Sequence, residues 1–176
     1  MSGHSKWKKI KHKKGKADQD RGKLFSKLAN MITIAARENS DPDFNPTLRS
    51  AIDRAKKQNL PLLNIERAVN RAAESDDLEG VLFEAYGPDG VGLIIEAATD
   101  NTNRTVAEVR KVLKDHNAKI GDPGSLMWAF EPRDGEYFPK FPMDVSGETR
   151  GKIESLIEGL EDLDDVGNIY TQMKIE

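Results

Sequence analysis

The sequence contains no cysteine, few aromatic residues and only three histidines among its 176 residues. Without cysteine the chain forms no disulfide, no thiolate metal site and no cysteine nucleophile. The histidines at positions 4, 12 and 116 are too few and too scattered for a Ser-His-Asp arrangement or a zinc site. We therefore predict a protein that is not an enzyme and that has no catalytic residue, bound metal or cofactor.

Long apolar runs are also missing from the sequence. No stretch approaches the roughly 20 apolar residues that a membrane-spanning helix needs. The first 16 residues are basic and are not followed by the apolar segment of a secretory signal. We expect a cytoplasmic protein that makes no contact with a membrane.

The chain as a whole has no strong excess of one charge sign, since its net charge is -3. Its two parts, however, differ strongly in charge. Residues 1–75 hold 17 Lys or Arg and 8 Asp or Glu, a net charge of +9. Residues 76–176 hold 10 Lys or Arg and 22 Asp or Glu, a net charge of -12. An asymmetry of this size indicates a nucleic-acid or membrane contact on the basic side.

Residues 1–16 form a lysine-rich arm whose sizeable apolar side chains are Trp7 and Ile10. Such a segment cannot bury enough surface to offset its ordering entropy, so we expect it to be mobile. Its lysines suit phosphate neutralisation, and Trp7 suits stacking on an unpaired base. The alternative is a solubilising tail in which Trp7 folds back onto the helices. The density of charge and the interleaved tryptophan favour nucleic-acid binding.

Residues 17–75 predict a three-helix domain. Apolar residues recur at steps of three and four between Leu24 and Ala35, which is the period of a helix. Asn45 followed by Pro46 is a suitable N-cap and first-turn pair for a second helix. A third helix carries an apolar stripe from residue 65 to residue 72.

Residues 76–176 predict an α+β domain. Apolar runs at 81–86 and 91–97, joined by Gly-Pro-Asp-Gly at 87–90, indicate two strands and a tight turn. Because the strands form hairpins rather than regular βαβ repeats, we predict an antiparallel sheet with two helices packed on one face. The remaining predictions for this domain are helices from about residue 101 and at 150–161, strands at 125–130 and 166–175, and a connector at 131–143.

Two further segments each have a chemical and a structural interpretation. Residues 100–105 precede a predicted helix, where backbone N–H groups and Arg104 suit an anion, but Asn and Thr are also preferred N-caps. We favour capping. The acidic run 161–165 offers oxygen ligands for a cation but lacks the spacing of a calcium loop, so we favour a solvated helix end.

Several motifs resemble those of the YebC/PmpR family. They include residues 1–7 (MSGHSKW), 21–25 (RGKLF), 86–88 (YGP), 99–101 (TDN) and 160–166 (LEDLDDV). The resemblance implies a cytoplasmic, non-enzymatic regulator that binds DNA, with a helical N-terminal domain followed by α/β domains. Related members, including a mitochondrial translational activator of cytochrome c oxidase, act in translation and associate with ribosomes or RNA.

The chain departs from the family pattern at one large and several small places. Family members usually carry a further small domain between the third strand and the closing helix, where this chain has only the connector 131–143. The chain therefore resembles a shortened member. His116-Asn117 stand where glycines are usual, and Gly167 stands where a polar side chain is usual.

The combined interpretation is a nucleic-acid-binding regulator of gene expression. DNA-binding transcriptional regulation is the first hypothesis, RNA or ribosome binding in translation is the second, and a protein-interaction module with a solubilising arm is the third. We expect the acidic domain to be free for a protein partner. The predicted nucleic-acid contacts are Lys6, Trp7, Lys8, Lys9, Lys11, His12, Lys13, Lys14, Lys16, Arg21, Lys23, Arg49, Lys56 and Arg67.

Overall fold

The computed structural model describes residues 17–175, with side chains from residue 20 onward. The helices α1 (Ala17–Ala36), α2 (Pro46–Lys57) and α3 (Leu62–Glu74) come first. The Asn45 side chain accepts a hydrogen bond from the Leu48 N–H at 3.0 Å, which confirms the predicted start of the second helix. None of the helices among the residues described is long and apolar enough to cross a membrane.

The three helices enclose a small apolar core. Ile32 of α1, Leu48 and Ala55 of α2 are completely buried, and Ile65 and Ala68 of α3 pack against them. The buried positions follow the three-and-four spacing seen in the sequence, so the predicted helical period is confirmed.

A four-stranded antiparallel sheet and two helices follow. The helices of this part are α4 (Thr102–Asp115) and α5 (Gly147–Glu161). Its strands are β1 (Glu79–Tyr86), β2 (Gly92–Thr99), β3 (Lys119–Ile120), β4 (Phe130–Arg133), β5 (Glu136–Pro139) and β6 (Val166–Thr171). The strand order in the four-stranded sheet is β3-β1-β2-β6. We call residues 17–75 the helical segment and residues 76–175 the sheet segment.

Both α4 and α5 pack on one face of the sheet. Leu93 and Ile95 of β2 point to this face and are completely buried against Val109 of α4 and Leu156 of α5. The class is therefore α+β with two helices on one face, as predicted.

The opposite face of the sheet is covered at its two ends by different parts of the chain. At one end α1 packs closely on β6. A Cβ added at Gly167 of β6 would overlap the Met31 side chain of α1. This contact gives a physical reason for a glycine where the family usually has a polar residue. At the other end Phe130, together with Leu126, packs against Ile94 and Tyr170.

The predicted strand at 125–130 is wrong. Residues 127–129 form one turn of 3₁₀-helix, and β4 begins only at Phe130. Glu84 of β1 explains the difference, because its carboxylate accepts hydrogen bonds from the N–H groups of Leu126 and Met127 at 2.7 and 2.8 Å. Those N–H groups are then not available to a neighbouring strand.

The predicted connector at 131–143 is also wrong, since β4 and β5 form a hairpin within it. Asp134 and Gly135 make its two-residue turn with φ of 52° and 76°, the left-handed conformation that tight hairpins require.

The last strand is shorter than predicted and ends at Thr171. Beyond it, Met173 makes one isolated parallel bridge with Met143.

Candidate nucleic-acid interface

The predicted contact residues divide into two groups. The contacts predicted in the arm lie outside the described residues: Lys6, Trp7, Lys8, Lys9, Lys11, His12, Lys13, Lys14 and Lys16. The other predicted contacts lie on the three helices: Arg21 and Lys23 on α1, Arg49 and Lys56 on α2, and Arg67 on α3.

Lys56 and Arg67 are exposed on α2 and α3 and form no ion pair with any residue from 20 to 175. Arg21 is likewise exposed on α1. On α2 the apolar stripe of Leu48, Ala51 and Ala55 faces the core, which leaves Lys56 on the solvent side. These positions leave their charged groups accessible to a phosphate.

Arg49 and Lys57 lie in a more mixed environment. They line a cleft of about 230 Å³ between α2 and the β4–β5 hairpin, together with the carboxylates of Asp53, Asp134 and Glu136. Arg49 also donates a hydrogen bond to the Pro42 carbonyl at 3.0 Å. Cations and carboxylates therefore lie together in this cleft, whereas no carboxylate pairs with Lys56 or Arg67 among the described residues.

Lys23 is engaged by the sheet segment. Its ammonium lies 3.0 Å from the Asp164 carboxylate and donates to the backbone carbonyl of Asp162. One turn later in α1, Lys27 donates to the backbone carbonyl of Glu161. Cations near the C-terminal end of a helix interact favourably with its unpaired carbonyls and its dipole, so α1 stabilises the end of α5.

Two other arginines of the helical segment make contacts at its boundary with the sheet segment. Arg37, the first residue after α1, donates to the carbonyls of Leu78 and Ser75. Arg71 of α3 pairs with the Asp77 carboxylate at 3.0 Å. The excess positive charge of residues 17–75 is therefore partly used inside the chain.

Arg54 makes the least exposed of these contacts. Its guanidinium lies 2.6 Å from the Glu136 carboxylate and 2.8 Å from the Tyr170 hydroxyl, and the two charged side chains are only 13% and 18% exposed. Burial lowers the pKa of Arg54, but the nearby Tyr170 and Glu136 outweigh it, so the pKa is raised and the cation is stabilised. For Tyr170, burial and the Glu96 carboxylate raise the pKa.

Glu96 lies beside this cluster on the same sheet face. Its carboxylate accepts a hydrogen bond from the Asn168 amide at 3.0 Å. Burial raises the pKa of Glu96, and the Asn168 hydrogen bond and the charge of Arg54 only partly offset that effect. The polar cluster thus links α2, the β4–β5 hairpin and the strands β2 and β6.

The predicted helix cap at residues 100–105 is confirmed. The Asn101 side chain accepts a hydrogen bond from the Arg104 N–H at 3.1 Å. The Arg104 guanidinium pairs with Asp100 at 2.7 Å and with Asp165 at 3.0 Å, so its charge is already matched within the chain. The acidic residues near 165 serve these internal contacts, and no group of side chains in the described part of the chain is arranged to hold a metal ion.

Sequence reasoning missed an exposed aromatic pair. Trp128 and Phe141 contact each other on the surface of the sheet segment, with ring centroids 5.9 Å apart. The sequence predicted a strand at 125–130, and nothing in the pattern of apolar residues indicated that Trp128 is exposed to solvent. The Asp134-Gly135 dipeptide was the available signal for the hairpin beside it.

Comparison with known proteins identifies the family. The family model described as the TACO1/YebC protein N-terminal domain matches residues 5–75, and that of the TACO1/YebC second and third domain matches residues 78–135. The chain belongs to the TACO1/YebC family. The resemblance recognised in the sequence motifs is therefore confirmed.

Similar TACO1/YebC relatives are named probable transcriptional regulatory proteins. One from Halothermothrix orenii is 47% identical over 180 residues, which cover 97% of this chain and 70% of the relative. One from Chlorobium luteolum is 48% identical over 179 residues, covering 97% of this chain and 69% of the relative. The crystal structure of a conserved hypothetical protein from Aquifex aeolicus is 31% identical with a TM-score of 0.74, covering 95% of this chain and 96% of that one.

These relatives support a regulatory role for the chain. The TACO1/YebC family is one of transcriptional regulatory proteins and not of enzymes, which agrees with the prediction that the chain is not an enzyme. The chain spans about 70% of the length of these two relatives.

Proposed function

We propose that the protein is a nucleic-acid-binding regulator of gene expression, and that it acts as a DNA-binding transcriptional regulator. The proposed contacts are the basic arm together with the exposed cations of the helical segment. The single observation that carries the proposal is that Lys56 and Arg67 are exposed and form no ion pair with another described residue. The names of the relatives support the regulatory part of the proposal.

Binding would begin with the neutralisation of phosphates. Each Lys or Arg that contacts a phosphate releases condensed counterions, which makes the affinity strongly dependent on salt. Lysine suits this task as a flexible point charge, whereas the planar guanidinium of Arg67 suits a phosphate with two oxygens presented side by side. These contacts position the protein on the nucleic acid and do not select a sequence by themselves.

The pairing inside the chain limits which surface would meet the phosphates. Lys23, Arg54 and Arg71 face carboxylates of the following segment. Lys56 on α2 and Arg67 on α3 are exposed and form no such pair with another described residue, so the solvent sides of these two helices are the proposed binding surface.

A binding measurement with matched variants tests the proposal. The full chain is titrated into fluorescently labelled duplex DNA and into RNA of the same length, and anisotropy gives the affinity. The variant Lys56→Ala/Arg67→Ala is expected to bind roughly five- to tenfold more weakly, since two exposed charge contacts contribute up to about 1 kcal/mol each. The control is Arg110→Ala/Lys114→Ala, which removes two exposed cations from α4 of the sheet segment.

The outcomes of this titration separate the hypotheses. A loss confined to Lys56→Ala/Arg67→Ala supports the proposed surface. An equal loss in the control variant would mean that only the net charge matters. Absence of binding to any nucleic acid would contradict the proposal and favour a protein-interaction module.

The second candidate function is RNA or ribosome binding in translation. The exposed Trp128–Phe141 pair favours it, because stacking on aromatic side chains is a common way to bind unpaired bases. Crosslinking in cells, followed by sequencing of the recovered nucleic acid, distinguishes the two functions. Recovery of promoter DNA supports transcriptional regulation, whereas recovery of ribosomal or messenger RNA supports a role in translation.

A further inference from the structure

The sheet segment presents two aromatic side chains to solvent beside each other. Trp128 is 63% exposed and Phe141 is 58% exposed. Their ring centroids lie 5.9 Å apart and the ring planes meet at an angle of 51°, so the two rings are in contact while more than half of each residue stays exposed. Large aromatic side chains are ordinarily buried, so a contiguous exposed pair calls for a functional explanation.

The loop that carries Trp128 is held by a dense set of hydrogen bonds. The Glu84 carboxylate accepts hydrogen bonds from the backbone N–H groups of Gly124, Leu126 and Met127 at 2.5, 2.7 and 2.8 Å. Burial of Glu84 would raise its pKa, but these three hydrogen bonds outweigh it, so the pKa is lowered and the carboxylate stays ionised. The Tyr86 hydroxyl fixes the loop further by donating to the Ser125 carbonyl at 3.0 Å.

The indole of Trp128 is oriented by the same loop. Its Nε1–H donates to the Ser125 carbonyl at 2.8 Å. On either side of it, Leu126 and Ala129 are buried and anchor the backbone. Because the indole N–H already has an acceptor, the accessible part of Trp128 is its apolar ring face, held in one orientation. That arrangement favours a flat ring that stacks and needs no hydrogen bond from the tryptophan.

Cations lie on the hairpin that adjoins the pair. The Arg133 guanidinium lies 4.3 Å from the centre of the Phe138 ring, and Lys140 is exposed immediately before Phe141. The N–H of Lys140 donates to the Ala129 carbonyl at 2.8 Å, which joins the two ends of this region. The Glu136 carboxylate of the hairpin is matched by Arg54, so it does not fully oppose these cations.

We propose that Trp128 and Phe141 form a stacking site for an unpaired base of a single-stranded nucleic acid. Lys140, next to Phe141, would contact a phosphate beside that base, and Arg133, at the turn end of the hairpin, would contact a phosphate farther along the strand. This inference rests on the proposed nucleic-acid binding and adds a second contact, on the sheet segment, to that of the helical segment. The ligand that this site prefers is a single-stranded nucleic acid.

The size of the pair favours a base over a protein surface. The two side chains together expose roughly 180–300 Å² if full side chains of this kind have an area of about 150–250 Å² each. A stable protein interface needs about 800 Å² from each partner and a centre poor in charge. The adjoining hairpin instead exposes the charged residues Glu131, Asp134 and Lys140. A single base, by contrast, is matched by one or two rings.

The tryptophan content of the chain makes a direct test possible. The chain has 2 tryptophans, so Trp7→Phe leaves Trp128 as the only one. In this background, a 12-nucleotide single-stranded RNA or DNA is expected to quench Trp128 emission, and the same sequence as a duplex is expected to leave it nearly unchanged. Adding Phe141→Ala should reduce the quenching at saturation, because the second ring no longer supports the base.

Affinity measurements in the same Trp7→Phe background complete the test. Trp128→Ala is expected to weaken binding of the single strand roughly tenfold and to leave duplex binding within about twofold. The matched control is Phe44→Ala, which removes an aromatic side chain that is 78% exposed on the helical segment. It should leave the affinity for the single strand within twofold.

Four outcomes would overturn the inference. Retained nucleic-acid binding with no effect of Trp128→Ala would contradict the stacking site alone and leave the proposed function standing. Equal losses for single strand and duplex would contradict stacking on an unpaired base. Quenching by an apolar peptide but by no nucleic acid would indicate a protein docking site, and failure of every nucleic acid to bind would contradict the proposed function as well.

Discussion

The ammonium of Lys23 lies 3.0 Å from the carboxylate of Asp164, and this contact joins the basic part of the chain to its acidic part. Lys23 was predicted to contact a nucleic acid, and in the structure it pairs with the sheet segment. The opposite net charges of +9 and -12 in residues 1–75 and 76–176 therefore serve partly to hold the two parts together. A nucleic acid would compete with the acidic segment for this lysine.

Replacing Asp164 should strengthen nucleic-acid binding modestly. In Asp164→Asn, Lys23 loses its carboxylate partner and becomes more accessible to a phosphate. Because both side chains are partly exposed, the pair contributes at most about 1 kcal/mol, and we expect a two- to threefold increase in affinity at low salt. The measurement is anisotropy with labelled nucleic acid.

Asp144→Asn is the matched control for this prediction. Asp144 pairs with Lys174 at 3.3 Å, and both residues belong to the sheet segment. The two substitutions change the net charge equally. The same increase in both variants would mean that net charge, and not release of Lys23, is responsible.

Removing Arg54 should destabilise the fold. Arg54→Met leaves the Glu136 carboxylate and the Tyr170 hydroxyl without their shared partner in a site that is mostly buried. Breaking such a pair on one side costs about 3 kcal/mol of unfolding free energy. Urea denaturation measures it, and Lys56→Met, an exposed change on the same helix, should stay within about 0.5 kcal/mol. Similar losses in both variants would show that the cluster has no special role.

Glu96 should make stability fall as the pH rises. Burial raises its pKa in the folded state, so the folded chain binds the proton more tightly than the unfolded chain. That contribution to stability is complete below the ordinary pKa of glutamate and is lost as the pH rises through the raised value. Arg54 and Glu136 face Glu96 in the same cluster, and Arg54 favours the ionised form of Glu96 without outweighing burial.

The variant Glu96→Gln isolates this effect because glutamine stays neutral. Its unfolding free energy relative to the parent chain should increase between about pH 4 and about pH 7. Urea titrations of both proteins at the two pH values measure the difference. A difference that is constant with pH, or that decreases, would contradict the raised pKa.

Gly135 should not tolerate a side chain. Its φ of 76° is unfavourable for alanine, and a Cβ there would lie 2.5 Å from the Pro46 carbonyl oxygen and 2.7 Å from the Thr47 Cα. We expect Gly135→Ala to lower the unfolding free energy by about 2 kcal/mol. Thermal denaturation is a sufficient assay.

Gly151→Ala is the opposite case within α5. A Cβ at that position meets nothing within 4 Å, and the helical backbone favours alanine over glycine by about 1 kcal/mol. This variant should be more stable than the parent chain. Equal effects of the two glycine substitutions would argue against the close packing of the hairpin on α2.

Local signals were sufficient for much of the fold. Helices α2 and α4 begin where capping preferences predict, after Asn45 and Asn101. The turn at 87–90 joins β1 and β2 as expected. These features depend on neighbouring residues in the chain. For the same reason the apolar stripes of the helices indicated the two cores correctly.

Contacts between distant residues could not be predicted in the same way. Residues 125–130 have the composition of a strand, but Glu84, some 40 residues earlier, binds their N–H groups and turns them into a loop. Arg54 and Glu136 lie 82 residues apart, and no local pattern pairs them. Exposure of Lys56, in contrast to the pairing of Lys23, likewise depends on which surfaces meet in three dimensions.

The salt dependence of binding tests the central claim most directly. The affinity of the full chain for one labelled nucleic acid is measured across a range of KCl concentrations for the parent, Lys56→Ala/Arg67→Ala and Arg110→Ala/Lys114→Ala. Loss of two phosphate contacts should make the slope of log affinity against log salt shallower by about 1 to 2 for Lys56→Ala/Arg67→Ala and leave it unchanged for the control. An unchanged slope in Lys56→Ala/Arg67→Ala, or the same change in both variants, would contradict a phosphate-binding surface on α2 and α3.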